Sequence, residues 1–394
     1  MPNPREVVKK LLKGENCQSD EIKAYEDDRW FVDSSSYATS EGVFEARCAS
    51  RETIFNIASI SKTFTAATIL RMTENERFSQ IFPDGINTPI SYLVPALKSR
   101  YPDSNYIQNE LEKENKFDEI TLAHLLNHSS GIGDFKGEDF GSKLAFESEE
   151  SLAQEPDGKF FTLRRRDPRP EFGKYSYSNI GYELLGMIIS ASASAISGIK
   201  IKCGEVVKEL VIDRLALGFT FTQDQMAFDG KKVHVIDRHE IDVAQAYDNN
   251  QGKAYPSLVF RRAIATSGIY SNPTDLCKFA DAFFSNKIFS KGGLFDEEQT
   301  IAARDSSKVE TKPEEFYAAG YEAYKEKDGT LVRFHGAETQ GFFGWLGNKN
   351  NQSACCLTSC VNRQITRPEI SQASAEQFKN KKSNNEIVPK SFGI

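Results

Sequence analysis

The sequence has no surplus of basic residues. Its 49 lysines and arginines are outnumbered by 56 aspartates and glutamates, giving a formal net charge of −7 at pH 7. Because nucleic-acid binding generally requires a basic face, this balance argues against a nucleic-acid partner. Hydrophobic residues make up 39% of the 394 residues and charged residues 27%, which is typical of a globular protein with one large or two medium domains.

A cysteine framework, a membrane span and a secretory signal are also missing. The seven cysteines are scattered and form no Cys-x-x-Cys pair, which indicates reduced thiols in a reducing compartment. The N-terminal residues contain no apolar signal-peptide core, and the most apolar long run, 180–199, carries Glu183 and several serines and therefore predicts a buried helix. We expect a cytoplasmic protein or, alternatively, a bacterial protein delivered to another cell without a signal peptide.

Strand-like segments occur at both ends of the chain, and helix-like segments occupy the middle. Two hairpins are predicted near the C-terminus. The first pairs 316–325 with 330–334 and turns at Asp328-Gly329, and the second pairs 341–346 with 354–361 and turns at 348–351. Further strands are expected at 30–32, 42–47 and 265–270. Helices are expected at 4–13, 55–72, 120–131, 174–196, 204–215, 273–284 and 368–379.

The economical arrangement is an α+β fold, with one antiparallel sheet built from both chain ends and a mainly helical lobe inserted between them. The α/β lobe is expected to comprise 1–65 and 256–380, and the helical lobe 66–255. The helical lobe would include an irregular insertion at 134–172, and residues 381–394 would form a flexible tail.

Ser59 and Lys62 form a Ser-x-x-Lys motif at the head of an apolar, helix-forming run. Residues three apart share one face of a helix, with Cβ atoms roughly 5–6 Å apart, so the Lys62 ammonium can reach the Ser59 hydroxyl. A serine is a poor nucleophile unless a neighbouring group takes its proton, and a buried lysine can do so. Taken alone, however, the motif is more often an ordinary helix start with a serine cap.

Two further features admit more than one interpretation. His124 and His128 are four residues apart and could hold a metal, but no acidic residue lies between them and no third ligand is evident nearby. Packing is therefore favoured, and neither a metal nor a cofactor is predicted. Arg164, Arg165 and Arg166 lie in the irregular insertion; such a charge run usually faces water, although it could also bind an acidic substrate.

Three separated motifs occur in a specific order: Ser59-Ile-Ser-Lys62, Tyr177-Ser-Asn179 and His335-Gly-Ala337. The chain thereby resembles the serine β-lactamase and penicillin-binding-protein superfamily. The nearer likeness is to its class C β-lactamase-related branch, which also contains esterases and D-aminopeptidases. The resemblance covers roughly residues 20–365, with supporting matches at 55–66, 124–131, 177–186, 267–271 and 335–342.

The resemblance implies an acyl-enzyme mechanism. Ser59 would attack an acyl carbon, while Tyr177, aided by the positive charge of Lys62, would act as the general base. Asn179 would hold the substrate carbonyl or amide and fix Lys62. Backbone N–H groups of Ser59 and Glu338 would form the oxyanion hole, where one donor is worth roughly 3–4 kcal/mol of transition-state stabilisation.

The third motif departs from the Lys-Thr-Gly of β-lactamases and transpeptidases, in which a cation and a hydroxyl grip the substrate carboxylate. Here His335, Gly336 and Ala337 are followed by the acidic Glu338. A neutral imidazole binds carboxylate weakly and a facing Glu338 would repel it, so efficient β-lactam hydrolysis is not expected. The methyl group of Ala337, where the family usually has glycine, could narrow the site.

We therefore expect a serine esterase or amidase/peptidase that acts on a small ester, a peptide or a D-amino-acid derivative. The alternatives are a weak β-lactamase or penicillin-binding DD-peptidase, and an inactive family member used as a binding or scaffold protein. Retention of the serine, lysine, tyrosine and asparagine of the first two motifs argues against an inactive site. The expected partner is a small-molecule or peptide substrate, and the sequence predicts no particular oligomeric state.

Overall fold

The computed structural model describes residues 25–27, 30–32, 36–37, 47–48, 52–104, 118–134, 170–228, 233–244, 247–248, 253–254, 264–339, 342–358 and 360–361. The helices expected at 4–13 and 368–379, the tail at 381–394 and most of the 134–172 insertion lie outside these residues. The proposed lobe boundaries stay a prediction.

The described helices are numbered in chain order. They are α1 Ser61–Glu74, α2 Ile90–Arg100, α3 Leu122–Leu126, α4 Asn179–Ser197, α5 Cys203–Val207, α6 Ile264–Ser267, α7 Pro273–Phe284 and α8 Glu298–Ser306. Helix α5 continues into a π-helical segment, Lys208–Asp213. Short 3-10 turns occur at Ala58–Ile60, Glu76–Phe78, Gly85–Asn87, Gln223–Gln225 and Phe289–Lys291.

The described strands are likewise numbered in chain order. The first ten are β1 Tyr25–Asp27, β2 Trp30–Val32, β3 Ser36–Tyr37, β4 Arg47–Cys48, β5 Phe55–Asn56, β6 Phe221–Thr222, β7 Met226–Phe228, β8 Val233–Val235, β9 Tyr247–Asp248 and β10 Lys253–Ala254. The others are β11 Ile269–Ser271, β12 Val309–Lys312, β13 Glu315–Ala318, β14 Tyr321–Lys325, β15 Leu331–Thr339, β16 Phe342–Lys349, β17 Gln352–Thr358 and β18 Cys360–Val361.

The main sheet is an antiparallel array of six consecutive strands, β12 to β17. Both predicted hairpins are confirmed. The turn from β14 to β15 places Gly329 at φ +82°, and the turn from β16 to β17 places Asn350 and Asn351 at φ +52° and +61°. Glycine and asparagine tolerate this left-handed conformation, which matches the twist of the flanking strands.

The mixed α+β class is confirmed. All six strands of the main sheet come from residues 309–358, while β2 lies beside the edge strand β17. A separate three-stranded sheet joins β5, β11 and β6, and so connects distant parts of the chain. Helix α1 is buried from Ser61 to Met72 and packs against α4, α6 and α8. A helix buried on all sides belongs to the core, so α1 is held rigidly.

Helix α4 is long and apolar enough to cross a bilayer by length and composition, but 78% of its apolar window is buried inside the fold. Helix α4 is therefore buried as a core helix is, which agrees with the prediction made from Glu183 in the apolar run. The helix begins at Asn179, later than predicted, because the Ser178 side chain caps it by accepting the Gly181 N–H at 2.9 Å.

Three other predicted elements differ from the structure. Residues 265–270 are the helix α6 followed by β11, not one strand; periodicity cannot separate a short apolar helix from a strand. Helix α3 ends at Leu126 rather than at Gly131, because the chain turns at His128 with φ +62°. The run 316–325 is divided into β13 and β14 by a turn at Gly320, where φ is +76°.

Candidate active site

Ser59 lies in the 3-10 turn that joins β5 to α1. The preceding residue, Ala58, is buried and has φ +43°, a left-handed conformation that costs a non-glycine residue roughly 1–2 kcal/mol. The Asn56 side chain supports this turn. Its Oδ1 accepts the Ala58 N–H at 2.9 Å, and its Nδ2 donates to the Ser267 carbonyl at 2.9 Å. The strained turn therefore projects a half-buried Ser59 from a rigid base.

Two side chains converge on the Ser59 hydroxyl. Lys62 Nζ lies 3.2 Å from Ser59 Oγ, and Tyr177 Oη lies 3.0 Å from the same atom. The i,i+3 spacing on one helix face explains the first contact. The second joins residues 118 positions apart and depends on the packing of the fold. The structure thus brings together the candidate nucleophile Ser59 and both proton-relay candidates that the sequence singles out.

The Lys62 side chain is fully buried. Its Nζ donates to the Thr266 carbonyl at 3.2 Å and lies 5.1 Å from the ring centroid of Tyr177. The Thr266 hydroxyl in turn donates to the buried Glu183 carboxyl. Helix α6, which the sequence misassigned, is therefore the element that places an acceptor behind the lysine.

Asn179 makes contacts that the sequence did not predict. Its backbone N–H and its side-chain Nδ2 both donate to the Asp134 carboxylate, each at 3.0 Å. That Asn179 fixes Lys62 stays a prediction, because the Nδ2 contact with Asp134 leaves Oδ1 as an acceptor. Because a carboxylate can only accept, the amide nitrogen must face Asp134, and the Asn179 Oδ1 is turned to the other side. No sequence spacing points to Asp134, which lies 45 residues away.

The third motif lies at the end of β15. His335 is buried, with Nδ1 2.7 Å from the Gly336 carbonyl and Nε2 2.9 Å from the Tyr317 hydroxyl. Since a carbonyl oxygen only accepts, Nδ1 carries a proton, and Nε2 forms a hydrogen bond with the Tyr317 hydroxyl. Gly336 and Ala337 are also buried, whereas Glu338 is exposed. The imidazole is thus tied to Tyr317, a partner that the sequence did not indicate.

One edge of β15 is open beside Ser59. Strand β14 pairs with β15 only over residues 331–334, whereas β16 pairs with residues 332–339. From His335 to Thr339, therefore, no other described strand covers the second edge of β15. The turn that carries Ser59 lies against this strand. Backbone N–H and C=O groups along this edge are suited to hydrogen bonding with an extended ligand.

The remaining candidate residues bond to partners other than Ser59 or lie outside the described residues. His124 Nδ1 lies 3.1 Å from the Thr121 N–H and caps α3, whereas His128 Nδ1 accepts the Ser178 N–H at 3.1 Å. These contacts give the two histidines separate hydrogen-bonding roles. Arg164, Arg165 and Arg166 lie in 161–169, outside the described residues, so their role stays a prediction.

Residues 5–361 match the family model described as Beta-lactamase, and the chain belongs to this family. The resemblance inferred from the ordered motifs is thereby confirmed. A search of curated protein sequences finds no match.

The fold is similar to several solved structures. A D-amino acid amidase from Ochrobactrum anthropi SV3, complexed with L-phenylalanine amide, is 16% identical, with 96% of this chain and 99% of that chain covered and a TM-score of 0.63. A penicillin binding protein from Bacillus halodurans is 16% identical, with 96% and 100% covered and a TM-score of 0.62. A D-stereospecific amidohydrolase from Streptomyces sp. is 17% identical, with 82% and 86% covered and a TM-score of 0.56. At these identities the likeness shows a shared fold.

Proposed function

We propose that this protein is a serine hydrolase that forms an acyl-enzyme on Ser59. We further propose that it acts as an esterase or an amidase/peptidase on a small ester, a peptide or a D-amino-acid derivative. The observation that carries the proposal is the convergence of Lys62 Nζ and Tyr177 Oη on Ser59 Oγ, at 3.2 and 3.0 Å. These distances are within the range needed for proton transfer to and from a nucleophile.

In the proposed mechanism Tyr177 is the general base and Lys62 supplies the positive charge that favours its phenolate. Tyr177 takes the Ser59 proton as Oγ attacks the acyl carbon, and returns it to the departing oxygen or nitrogen. Water then attacks the acyl carbon, and the same tyrosine accepts a proton from the water and passes it to Ser59 Oγ as the acyl–Oγ bond breaks. The contact of Lys62 with the Thr266 carbonyl holds the ammonium in place throughout.

The open edge of β15 supports the oxyanion hole in this proposal. It lies against the Ser59 turn, so the backbone N–H of Glu338 and that of Ser59 are the proposed donors to the developing oxyanion. Asn179, oriented by Asp134, would present its Oδ1 to an N–H of the substrate. The rigid supports of these groups favour catalysis because little reorganisation is needed during the reaction.

Substrate preference follows from the charges at the third motif. The His335 imidazole is already bonded to Tyr317, and Glu338 is exposed nearby. Among the described motif residues 335–339 none is a lysine or an arginine, and Glu338 carries a negative charge, which favours neutral or amine-bearing substrates. The amidase and the amidohydrolase with similar folds make amides of D-amino acids the first compounds to test.

The proposal is tested by covalent labelling of Ser59 and by hydrolysis of candidate substrates. Wild-type protein should react with a fluorophosphonate probe at Ser59 and hydrolyse p-nitrophenyl acetate, and S59A should do neither. Turnover of D-phenylalanine amide over its L-enantiomer would support the amidase assignment. Undiminished labelling of S59A would refute the mechanism, and stable labelling of Ser59 by a fluorescent penicillin would favour a penicillin-binding protein instead.

A further inference from the structure

A single residue holds both peptide N–H groups that flank Tyr177. The backbone carbonyl of His128 accepts the Ser176 N–H at 2.8 Å. Its Nδ1 accepts the Ser178 N–H at 3.1 Å. The segment carrying Tyr177 is therefore fixed on either side of the tyrosine by one residue that lies some 50 positions earlier in the chain.

The His128 ring also contacts the Tyr177 ring. Their centroids are 4.3 Å apart, and the rings of Tyr317 and Tyr182 lie 4.5 and 4.9 Å from His128 on its other sides. His128 is 1% exposed, so the imidazole is enclosed by aromatic rings. The tyrosine that reaches Ser59 thus has both its backbone and its ring supported by His128.

His128 adopts a backbone conformation that is unfavourable for its residue type. Its φ is +62°, in the left-handed region that non-glycine residues seldom occupy. Such conformations persist where the surrounding structure over-determines them, and they cluster at functional sites. Here the conformation lets the carbonyl and the side chain of one residue point to the same neighbouring segment.

The hydrogen bonds require a neutral imidazole in one tautomer. Since Nδ1 accepts an N–H, the proton lies on Nε2, which has no hydrogen-bond partner among the described residues. Burial, together with the positive charge of Lys62 and with His335, lowers the pKa of His128 well below its usual value. The acceptor at Nδ1 is therefore maintained at neutral pH.

We propose that His128 is a positioning residue that holds the Tyr177 hydroxyl against Ser59 through its Nδ1 acceptor. The inference rests on the proposed function, because positioning matters only if Tyr177 serves Ser59. The proposed role of His128 differs from ordinary core packing, because the reaction needs the Nδ1 acceptor rather than the volume of the ring.

Two substitutions separate the acceptor from the ring. H128N keeps an acceptor near the Nδ1 position and tolerates the left-handed backbone, but it loses the ring. H128F keeps an aromatic ring and loses the acceptor, leaving the buried Ser178 N–H without a partner. H124N is the matched control, because His124 lies in the preceding helix α3 and its ring nitrogen contacts Thr121.

With p-nitrophenyl acetate, we expect H128F to lower kcat by about 10- to 100-fold with little change in KM, the signature of a lost transition-state contact. We expect H128N to recover most of that loss and H124N to keep the wild-type kcat. Full kcat in H128F, equal losses in H128F and H128N, or a change confined to KM would each overturn the proposal. Urea unfolding of all three variants identifies any that fail to fold.

Crystal structures of the variants test this inference independently of the proposed function. If the probe does not label wild-type protein and the protein does not hydrolyse the ester, the proposed function fails. The distance from Tyr177 Oη to Ser59 Oγ in the variants still decides the role of His128. A hydroxyl displaced from Ser59 in H128F but retained in H128N supports positioning. An unchanged distance in H128F refutes it.

Discussion

Replacing Gly320 with alanine should destabilise the fold and displace the helix that carries Lys62. The backbone at Gly320 has φ +76°, and an added Cβ would lie 2.6 Å from the Ala66 Cβ and 3.0 Å from the Lys62 carbonyl oxygen. Distances this short force the surrounding atoms to move. The turn cannot withdraw without cost, because the Gly320 carbonyl accepts the Thr63 hydroxyl at 2.8 Å.

The expected magnitude has two parts. Alanine in the left-handed conformation costs roughly 1–2 kcal/mol. Overpacking of a filled interior costs typically about 1–3 kcal/mol more. The free energy of unfolding of G320A should therefore fall by about 2–5 kcal/mol, if the two costs add.

Gly329 supplies the control that isolates the contact with α1. Its φ is +82°, close to that of Gly320, but an added Cβ would meet nothing within 4 Å. G329A should thus carry only the backbone cost of roughly 1–2 kcal/mol. Urea unfolding followed by circular dichroism measures both variants, and p-nitrophenyl acetate hydrolysis should show a lower kcat for G320A alone. Equal losses of stability in G320A and G329A would show that the turn does not brace the helix.

Three further outcomes are expected. Y177F removes the hydroxyl 3.0 Å from Ser59 Oγ, so kcat for p-nitrophenyl acetate should fall by roughly 10²–10⁴-fold, the usual contribution of acid–base catalysis; a wild-type kcat would exclude Tyr177 as the base. N56A leaves a buried N–H and a buried carbonyl without their partner and should lower the free energy of unfolding by about 2–4 kcal/mol in urea, whereas a neutral effect would show that the turn before Ser59 needs no support. Burial alone would raise the pKa of Asp305, but its contacts with Arg304, Tyr321 and Arg333 together lower that pKa. The carboxylate therefore stabilises the fold above the unfolded-state pKa of about 3.9, and the advantage of wild type over D305N in acid unfolding should shrink as the pH falls from about 3.9 through the lower folded-state pKa; an advantage that grew on acidification would contradict this sign.

Local spacing accounts for the part of the site that the sequence could predict. Ser59 and Lys62 are close because residues three apart on a helix share a face. The hairpins at Asp328-Gly329 and at 348–351 follow from residues that tolerate left-handed backbone. The family resemblance rests on the order of three motifs, and it is confirmed by the match over residues 5–361. Each of these inferences uses only local pattern or motif order.

The contacts that support the site are long-range and have no periodic signature. The pairing of Asn179 with Asp134 spans 45 residues, and that of Ser178 with His128 spans 50. The strand expected at 265–270 is helical in its first half, because small side chains there allow close packing: a Cβ added to Gly186 would lie 2.7 Å from the Ala265 Cβ. Tertiary packing decides such segments, and a single sequence does not reveal it.

The second and third motifs are in contact through a chain of aromatic residues close to Ser59. His335 is bonded to the Tyr317 hydroxyl, and the Tyr317 ring packs against His128, which in turn contacts Tyr177. Because the His335 imidazole is bonded to Tyr317, it helps to hold Tyr177 in place and is not available to bind a substrate in the cleft. Of the described residues of this motif, the backbone of β15 along its open edge and the exposed Glu338 are then the groups left to face a substrate. For this reason the third motif can depart from Lys-Thr-Gly without disturbing the chemistry proposed for Ser59, while removing the cation that would hold a carboxylate.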